Sequence, residues 1–280
     1  MGSLLRKVPN PIDAIERGAR VLTHAADDLV DKGRDAADYV ADMAVSVVPD
    51  DIRVAPKLPP YPALPAVDRA RAAARGLGET SPQPVITGSD RKPHEPVSLY
   101  VTGTKEELRS ALERSGWKKA HELTKTSAFR TAVSILNRVT HFRRLLDYNY
   151  QESPVSDMYL DGRKSVMAFN KHNQYDLSRD HLRVFDTGRK APDGRPIWAI
   201  AATRDVAMHL QPRKLAGYHE IDPRIDGERD LVMADLLASG RVREWRITDG
   251  RSTPDVKRHI ARKYATDGKI YAIDLTSATK

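Results

Sequence analysis

The sequence predicts an α+β fold with a mainly antiparallel sheet and packed helices, preceded by a long N-terminal helix and a Pro-rich linker. Short β-prone segments follow one another across Gly-containing turns, and helix signals fall beside them without regular strand–helix alternation. Residues 197–203 are apolar on both faces, which predicts a central strand covered on both sides. A 3,4 spacing of apolar or small residues near the N-terminus predicts the long helix.

The N-terminal helix is predicted over residues 10–48, after a disordered stretch at 1–9. Its heptad spacing is unbroken and many of its apolar positions are small, so a partner helix could approach closely. Its polar face is acidic, whereas helices that lie on membranes prefer Lys and Arg. We therefore expect self-association or docking on another protein through residues 12–47; a solitary solvated helix is the alternative.

Residues 49–96 are predicted to be a linker, because ten prolines fix an extended, semi-rigid path. A short basic helix at 67–77 is expected within it. The α+β domain then covers residues 97–280 and includes a C-terminal extension.

Local signals place the elements of this domain. Thr104 and Glu107 form the capping box of a helix that ends at Gly116. Turns are predicted at Gly162 and Gly194. The remaining predicted elements are strands at 98–102, 158–160, 166–170, 181–185, 242–248 and 269–275, and helices at 126–146 (with a basic face) and 253–264.

Composition limits the classes of protein. The 280 residues carry a net charge of +8; residues 1–50 hold nine acidic against six basic residues (−3), so the remainder carries +11. A basic domain of this kind suits an anionic partner such as a lipid, a phosphate compound or nucleic acid. The lack of cysteine excludes disulfides and thiolate metal sites.

The hydropathy pattern contains no apolar run of about 18 residues, which predicts no membrane-spanning helix. The N-terminus also lacks a signal-peptide pattern. We expect a cytoplasmic protein, with a peripheral position at a membrane as an open alternative.

The charged residues that predict a polar site lie in one stretch before Gly240. The Asp-Pro pair beginning at Asp222 predicts a helix start. A step of about 3.6 residues per turn then puts Asp226, Arg229 and Asp230 on the stripe that continues with core-facing apolar residues. Carboxylates stacked in this way repel one another unless a cation, a proton or a pairing partner lies among them. We expect a ligand site here, with a helix-start ion-pair network as the alternative.

The central strand has a change of phase. Val206 and Met208 are out of step with the apolar alternation of residues 197–203. A one-residue bulge near 203–205 explains the slip and re-aims side chains beside a site; a plain strand–turn–strand is the alternative.

Several well-known motifs are missing from the sequence: a phosphate loop, a dinucleotide fingerprint, His-Glu-x-x-His and Gly-x-Ser-x-Gly. The histidines show no metal-ligand spacing, so no metal is predicted and the cofactor is left unassigned.

Four blocks resemble the LssY carboxy-terminal-like domain family: residues 96–117, 153–170, 181–185 and 196–240. The last block contains the signatures Ala-Ala-Thr-Arg-Asp-Val and His-x-Ile-Asp-Pro-x-Ile-Asp-x-Glu-Arg-Asp. The resemblance covers roughly residues 96–240. It implies a role near envelope lipids, because members often follow membrane-embedded phosphatidic-acid-phosphatase-like or DedA-like segments.

We therefore expect an Arg/Asp/His pocket that binds an anionic ligand, for example a lipid phosphate. The residues expected to bind it are His181, Arg183, Arg204, Asp205, Arg229 and Asp230. Whether the protein is an enzyme is left open. In a hydrolase version, His219 acts as acid and base, and Asp222 or Asp226 orients it or holds a cation. Arg204 and Arg229 then stabilise developing negative charge.

Two other classes of function are kept as alternatives. The basic face of the predicted helix at 126–146 suits nucleic acid. The heptad helix suits a structural or assembly protein.

Overall fold

The fold is organised around one unusually long strand, Pro196–Gln211, in a sheet-rich α+β arrangement. The computed structural model describes residues 52–55, 58–64, 81–120, 155–172, 178–211, 216–251 and 253–276. The predicted helices at 10–48, 67–77 and 126–146 lie outside the described residues, and so do the predictions for self-association and nucleic-acid binding that rest on them.

The described strands are, in chain order, β1 (Ile52–Val54), β2 (Ser81–Pro82), β3 (Val85–Gly88), β4 (Pro93–Pro96), β5 (Leu99–Thr102), β6 (Lys118–Lys119), β7 (Met158–Leu160), β8 (Arg163–Lys164), β9 (Met167–His172), β10 (Arg179–Lys190), β11 (Pro196–Gln211), β12 (Ala216–Ile221), β13 (Val242–Arg251) and β14 (Lys269–Leu275). The described helices are α1 (Lys105–Arg114), α2 (Ile225–Ala238) and α3 (Pro254–Lys263).

The large sheet has the strand order β2-β13-β14-β5-β11-β10-β9-β6, and β1 and β12 pair with the later part of β11. A smaller sheet has the order β4-β3-β7-β8. Among the described strands, β2 with β13 and β5 with β14 pair in parallel, and the other pairs are antiparallel. This confirms the predicted mainly antiparallel α+β class.

The large sheet is covered on both faces. One face packs against α1 and α2, and its core includes Leu112, Phe169, Ile200 and Met233. The other face carries Phe185 and packs against the smaller sheet. A third cluster joins α3 to the start of α2. Because both faces of β11 are covered, its early half can be apolar on both sides, as the sequence predicted.

Several local predictions are confirmed. The Thr104 hydroxyl accepts a hydrogen bond from the Glu107 N–H, and the Glu107 carboxylate accepts one from the Thr104 N–H, which closes the capping box at the start of α1. Gly162 and Gly194 have positive φ angles of 76° and 83°, and each lies in a turn between paired antiparallel strands. Glycine favours such turns because it has no Cβ to clash in this conformation.

The predicted bulge is present, slightly later than expected. Asp205 pairs with Ile221 and Ala207 pairs with Glu220, so Val206 is the extra residue opposite β12. The strand continues through this point to Gln211, so the strand–turn–strand alternative does not apply.

Two boundaries differ from the prediction. The proline-rich stretch assigned to the linker contains β1 to β4, so folded structure begins well before residue 97. Proline occupies strand edges here, where its missing N–H leaves no hydrogen bond unmade. Helix α2 begins at Ile225, because Asp222 accepts a hydrogen bond from the Arg224 N–H in a local turn and does not cap the helix.

None of the helices in the described part of the chain is both long enough and apolar enough to cross a membrane.

Candidate functional site

Strand β11 divides the predicted site residues between the two faces of the large sheet. Successive side chains of a strand point to opposite faces. Asp205 therefore follows Ala201 on the face of the smaller sheet, whereas Arg204 follows Ala202 on the face of α2. Strand β10 pairs with β11 in unbroken register here, so its side chains divide in the same way. The structure thus gives separate clusters where the sequence predicted one pocket.

Three predicted residues, His181, Asp205 and His219, meet on the face of the smaller sheet; with Arg179 and Thr203 we call them the histidine cluster. Asp205 Oδ2 accepts a hydrogen bond from Arg179 Nε at 2.7 Å. The same oxygen lies 3.6 Å from His181 Nδ1 and 3.4 Å from His219 Nδ1. His181 Nε2 lies 2.9 Å from Thr203 Oγ1. One buried carboxylate oxygen is therefore shared by a guanidinium and two imidazoles.

The bulge at Val206 brings His219 to this cluster. Residues that pair across strands share a face, and His219 pairs with Met208. Without an extra residue, Met208 would lie on the face opposite Asp205. The bulge shifts the phase, so His219 and Asp205 lie on the same side.

Burial sets the protonation state of the histidine cluster. It lowers the pKa of His181 and of His219, and the charge of Asp205 opposes this shift without cancelling it. Burial alone would raise the pKa of Asp205, but His219, His181 and Arg179 outweigh it and hold that pKa below its usual range. At neutral pH the two imidazoles are therefore neutral, and Arg179 balances the ionised Asp205.

His219 is the most open member of the histidine cluster. Its side chain is 20% exposed, whereas the side chains of His181 and Asp205 are 4% and 1% exposed. The Nδ1 atoms of both histidines are buried and make no hydrogen bond with the described residues. Buried polar atoms are normally paired, so two unpaired ones facing a single carboxylate point to a function.

Arg183 continues the row of polar side chains along β10. It donates to Glu95 Oε2 at 3.2 Å and to the backbone oxygen and hydroxyl of Ser156. Both partners of the ion pair are buried, and the unpaired hydroxyl of Tyr264 is buried near them. Since alternate residues share a face, Arg179, His181 and Arg183 form one row.

Arg204 lies on the opposite face in a cluster that we call the acid pair: Asp180, Glu228 and the guanidinium between them. Arg204 Nε donates to Asp180 Oδ1 at 2.6 Å and lies 3.8 Å from Glu228 Oε2. All three side chains are almost completely buried. Glu228 also lies beside Asp180, close enough for a hydrogen bond between the two carboxyl groups when one of them is protonated.

Two buried carboxyl groups share one cation here, so one of them holds a proton. Burial raises the pKa of Glu228 well above its ordinary value, and the neighbouring Asp180 raises it further, whereas Arg204 lowers it. Burial also raises the pKa of Asp180. Because Arg204 hydrogen-bonds Asp180 directly, we place the charge on Asp180 and the proton on Glu228.

Arg229, Asp226 and Asp230 form a third group, which ties α2 to the turn before β14. Arg229 Nη1 donates to Asp267 Oδ1 at 2.7 Å and to Asp226 Oδ1 at 3.2 Å, and Nη2 donates to Asp230. Asp230 also accepts from the Tyr271 hydroxyl at 2.6 Å. The acidic stripe faces inward as predicted, and its contacts are those of the helix-start ion-pair network. The cation that pairs with this stripe is Arg229. Arg204 contacts α2 through Glu228, a residue that was not predicted.

Asp222 makes local contacts at the approach to α2. It accepts from the Arg224 side chain at 2.8 Å and from the Tyr61 hydroxyl at 3.3 Å. Its ion-pair partner among the described residues is Arg224, so neither Asp222 nor Asp226 orients His219; Asp205 is the carboxylate beside that ring.

A model of one family, described as LssY C-terminus, matches residues 80–270. The chain belongs to this family. The match includes every predicted site residue, whereas residues 52–64 precede it. No curated protein and no solved structure matches the chain.

Five charged residues of the LssY C-terminus domain in these three clusters and the row along β10 were not predicted: Glu95, Arg179, Asp180, Glu228 and Asp267. The sequence Arg-Asp-His-Leu-Arg at 179–183 could have indicated Arg179 and Asp180, because it places charged residues on both faces of a strand that is otherwise apolar. Glu228 lies off the stripe of Asp226 and Asp230, so helical periodicity does not single it out.

The described residues of the LssY C-terminus domain contain no group of three or more His, Asp or Glu side chains arranged to hold a metal ion. An open groove of about 380 Å³ lies beside β13 and β14 of the large sheet, near Arg195, Trp245 and Asp274. Arg195 is paired there with Asp193 and Asp274. None of the predicted site residues lines that groove.

Proposed function

We propose that the LssY C-terminus domain of this chain binds a phosphate-bearing anion at the histidine cluster and takes up protons as it does so. The observation that carries the proposal is the pair of buried, unpartnered Nδ1 atoms of His181 and His219 beside one carboxylate oxygen. A buried imidazole without a partner is a place where a proton can be added and a hydrogen bond can form.

The charge balance of the row explains why a proton would accompany the anion. With neutral imidazoles, Arg179 and Arg183 are balanced by Asp205 and Glu95, so the row has no charge to spare. An anion brought into this buried region needs a new positive charge nearby. Protonation of one or both imidazoles supplies it, and each imidazolium then donates a hydrogen bond.

The route to the cluster leads past His219, because it is the most exposed of these side chains. The phosphate can belong to a lipid headgroup or to a small soluble compound, and both present the same oxyanion chemistry. The net charge of +8 favours an anionic partner in either case. The peripheral membrane position and the link to envelope lipids remain predictions that depend on the lipid source.

Titration calorimetry with inorganic phosphate, and flotation with phosphatidylcholine vesicles containing or lacking phosphatidic acid, test the proposal and separate the two sources. We expect binding to strengthen by about tenfold when the pH falls from about 8 to about 6, because protonation of an imidazole then accompanies binding. His219→Gln should remove this dependence. His259→Gln is the matched control, since His259 lies on α3 and contacts the backbone of His94.

The variant Asp205→Asn provides an independent test of the binding site. Removing the carboxylate takes one negative charge out of the histidine cluster, so phosphate should bind more tightly at neutral pH, by about tenfold. Affinity that is unchanged in both the His219 and the Asp205 variants would show that the anion binds elsewhere or not at all.

A hydrolase is the second candidate, and the proximity of Asp205 to His219 favours it. A carboxylate beside Nδ1 orients an imidazole so that the other nitrogen can accept a proton from water. In this version His219 removes the water proton as the water oxygen attacks phosphorus, and Arg179 stabilises the negative charge that develops. The P–O bond to the alcohol then breaks, and the protonated His219 returns its proton to the leaving alcohol. Turnover of p-nitrophenyl phosphate that Asp205→Asn abolishes, while phosphate affinity rises, supports the enzyme; binding with no turnover in the unaltered chain supports the binding protein.

A further inference from the structure

Residues 58–64, which we call the proline segment, lie on the helix-covered face of the large sheet. The segment reads Leu-Pro-Pro-Tyr-Pro-Ala-Leu and contains neither helix nor strand. It precedes residues 80–270, which match the family.

The proline segment contacts Arg204 in two ways. The Tyr61 ring stacks on the guanidinium, with Arg204 Cζ 3.8 Å from the ring centroid. Arg204 Nη1 donates to the Pro59 carbonyl oxygen at 3.0 Å. The Tyr61 hydroxyl then donates to Asp222 Oδ2 at 3.3 Å. A polar backbone group and an aromatic ring of the segment therefore both satisfy a buried cation of the domain.

The domain makes space for the proline segment at Gly227. A Cβ atom added to this glycine would overlap the Tyr61 ring. Glycine is a poor helix former, yet it occupies the first turn of α2. Leu64, at the end of the segment, is buried in the main core cluster. One end of the segment thus enters the core, and the ring lies on a helix surface that lacks a side chain.

We infer that the surface around Arg204 and Gly227 is a peptide-binding groove and that the proline segment is its ligand, supplied by the same chain. Proline-rich segments suit such a groove because they lose little conformational freedom on binding. Sixteen residues, 65–80, separate the segment from β2 in the sequence, and a chain of that length can span up to about 50 Å. On its N-terminal side the segment follows β1, which pairs with the later part of β11.

This inference does not depend on the proposed function, because the groove and the histidine cluster lie on opposite faces of the sheet. When docked, the proline segment covers the acid pair, since Tyr61 and Pro59 both lie on Arg204. Undocking would expose Arg204 to an outside partner of the same chemistry, namely a segment with a tyrosine beside prolines.

The absence of cysteine provides a direct test in the full chain. In Leu64→Cys, the rate of thiol modification reports how often the proline segment leaves its groove, because Leu64 is buried. We expect modification at least about 100-fold slower than in the urea-unfolded chain. Adding Gly227→Ala should raise the rate by about tenfold or more, although alanine is the better helix former.

Tyr61→Phe is the matched control, because it keeps the ring and removes only the hydroxyl contact with Asp222; its rate should stay within about threefold of the parent. Trypsin cleavage after Lys57 in the cysteine-free chain, with and without Gly227→Ala, gives the same comparison if Leu64→Cys fails to fold.

A free peptide of sequence Leu-Pro-Pro-Tyr-Pro-Ala-Leu tests the groove itself. At millimolar concentration, comparable with the effective concentration of a tethered segment, it should raise the modification rate of Leu64→Cys to a plateau. The same peptide with alanine for tyrosine should not. Equal effects of the two peptides, or a rate in the parent as fast as in the unfolded chain, would overturn the inference.

Discussion

Asp205 and Asp180 lie on the same pair of strands and are almost equally buried, but they face opposite sides of the sheet and are neutralised differently. Asp205 has one arginine and two imidazoles around it, so it is ionised and the imidazoles stay neutral. Asp180 shares its arginine with Glu228, so the pair of acids holds a proton. The histidine cluster can therefore gain a proton, and the acid pair can lose one.

This difference shows that burial alone does not decide the charge state of a polar cluster. The balance of acids and cations decides it, because each uncompensated charge in a low-dielectric interior costs several kcal/mol. Opposite pH responses on the two faces follow. Four substitutions, in order of decreasing effect, test this difference in charge balance, and the last two test the pH responses.

The largest effect is expected for Arg204→Met, which removes the guanidinium between two buried carboxyl groups. We expect the free energy of unfolding to fall by about 3–5 kcal/mol at neutral pH, as for other buried pairs that lose one partner. Urea unfolding measures it. Arg258→Met, which breaks a pair exposed on α3, is the control and should cost at most about 0.5 kcal/mol. Equal losses in the two variants would mean that Arg204 is not the buried counter-charge described above.

Asp205→Asn should have the next largest effect. The amide keeps the shape of the side chain but removes the negative charge that accepts a hydrogen bond from the buried Arg179 guanidinium. A loss of about 2–3 kcal/mol is expected from urea unfolding at neutral pH. A gain in stability would show that Arg179 is balanced by another group.

Glu228→Gln should stabilise the protein at neutral and higher pH. Since the pKa of Glu228 is raised in the folded state, its contribution is fully present below the unfolded value and is lost as pH rises through the folded value. The neutral amide removes this loss, by about 1.4 kcal/mol for each pKa unit of the shift. The free energy of unfolding, measured at about pH 5 and about pH 8, should fall less with rising pH in the variant than in the parent. An unchanged fall would mean that Glu228 is ionised when folded.

His219→Gln should have the smallest effect on stability, about 1 kcal/mol or less, because the side chain is partly exposed. Its pKa is lowered in the folded state, so the histidine favours folding above the unfolded pKa and this contribution is lost on acidification. The variant should therefore lose less stability than the parent between about pH 7 and about pH 5. Calorimetric unfolding at the two pH values measures this change in the free energy of unfolding with pH. The change has the opposite sign to the one that Glu228 causes.

Much of the fold could be predicted from local patterns. The capping box at Thr104, the turns at Gly162 and Gly194 and the apolar strand at 197–203 depend on neighbours in sequence, and the structure has each of them. The phase change after that strand correctly indicated a bulge. Prolines were a weaker guide, because a residue that suits a linker also suits the edge of a sheet.

The candidate site could be predicted only as a set of residues near one another in the chain. Asp205 and His219 were both chosen, but their contact depends on the pairing of β11 with β12 and on the extra residue at Val206. Arg204 was assigned to the same pocket as Asp226, although strand alternation sends it towards Glu228.

Periodicity and local hydrogen bonding were enough to predict the fold class, the turns at Gly162 and Gly194, the capping box at Thr104 and the polar character of the stretch before Gly240. Only the tertiary structure decided which charges meet. Ion pairs between residues such as Arg204 and Asp180 join side chains from different strands, and sequence spacing does not fix the register that brings them together.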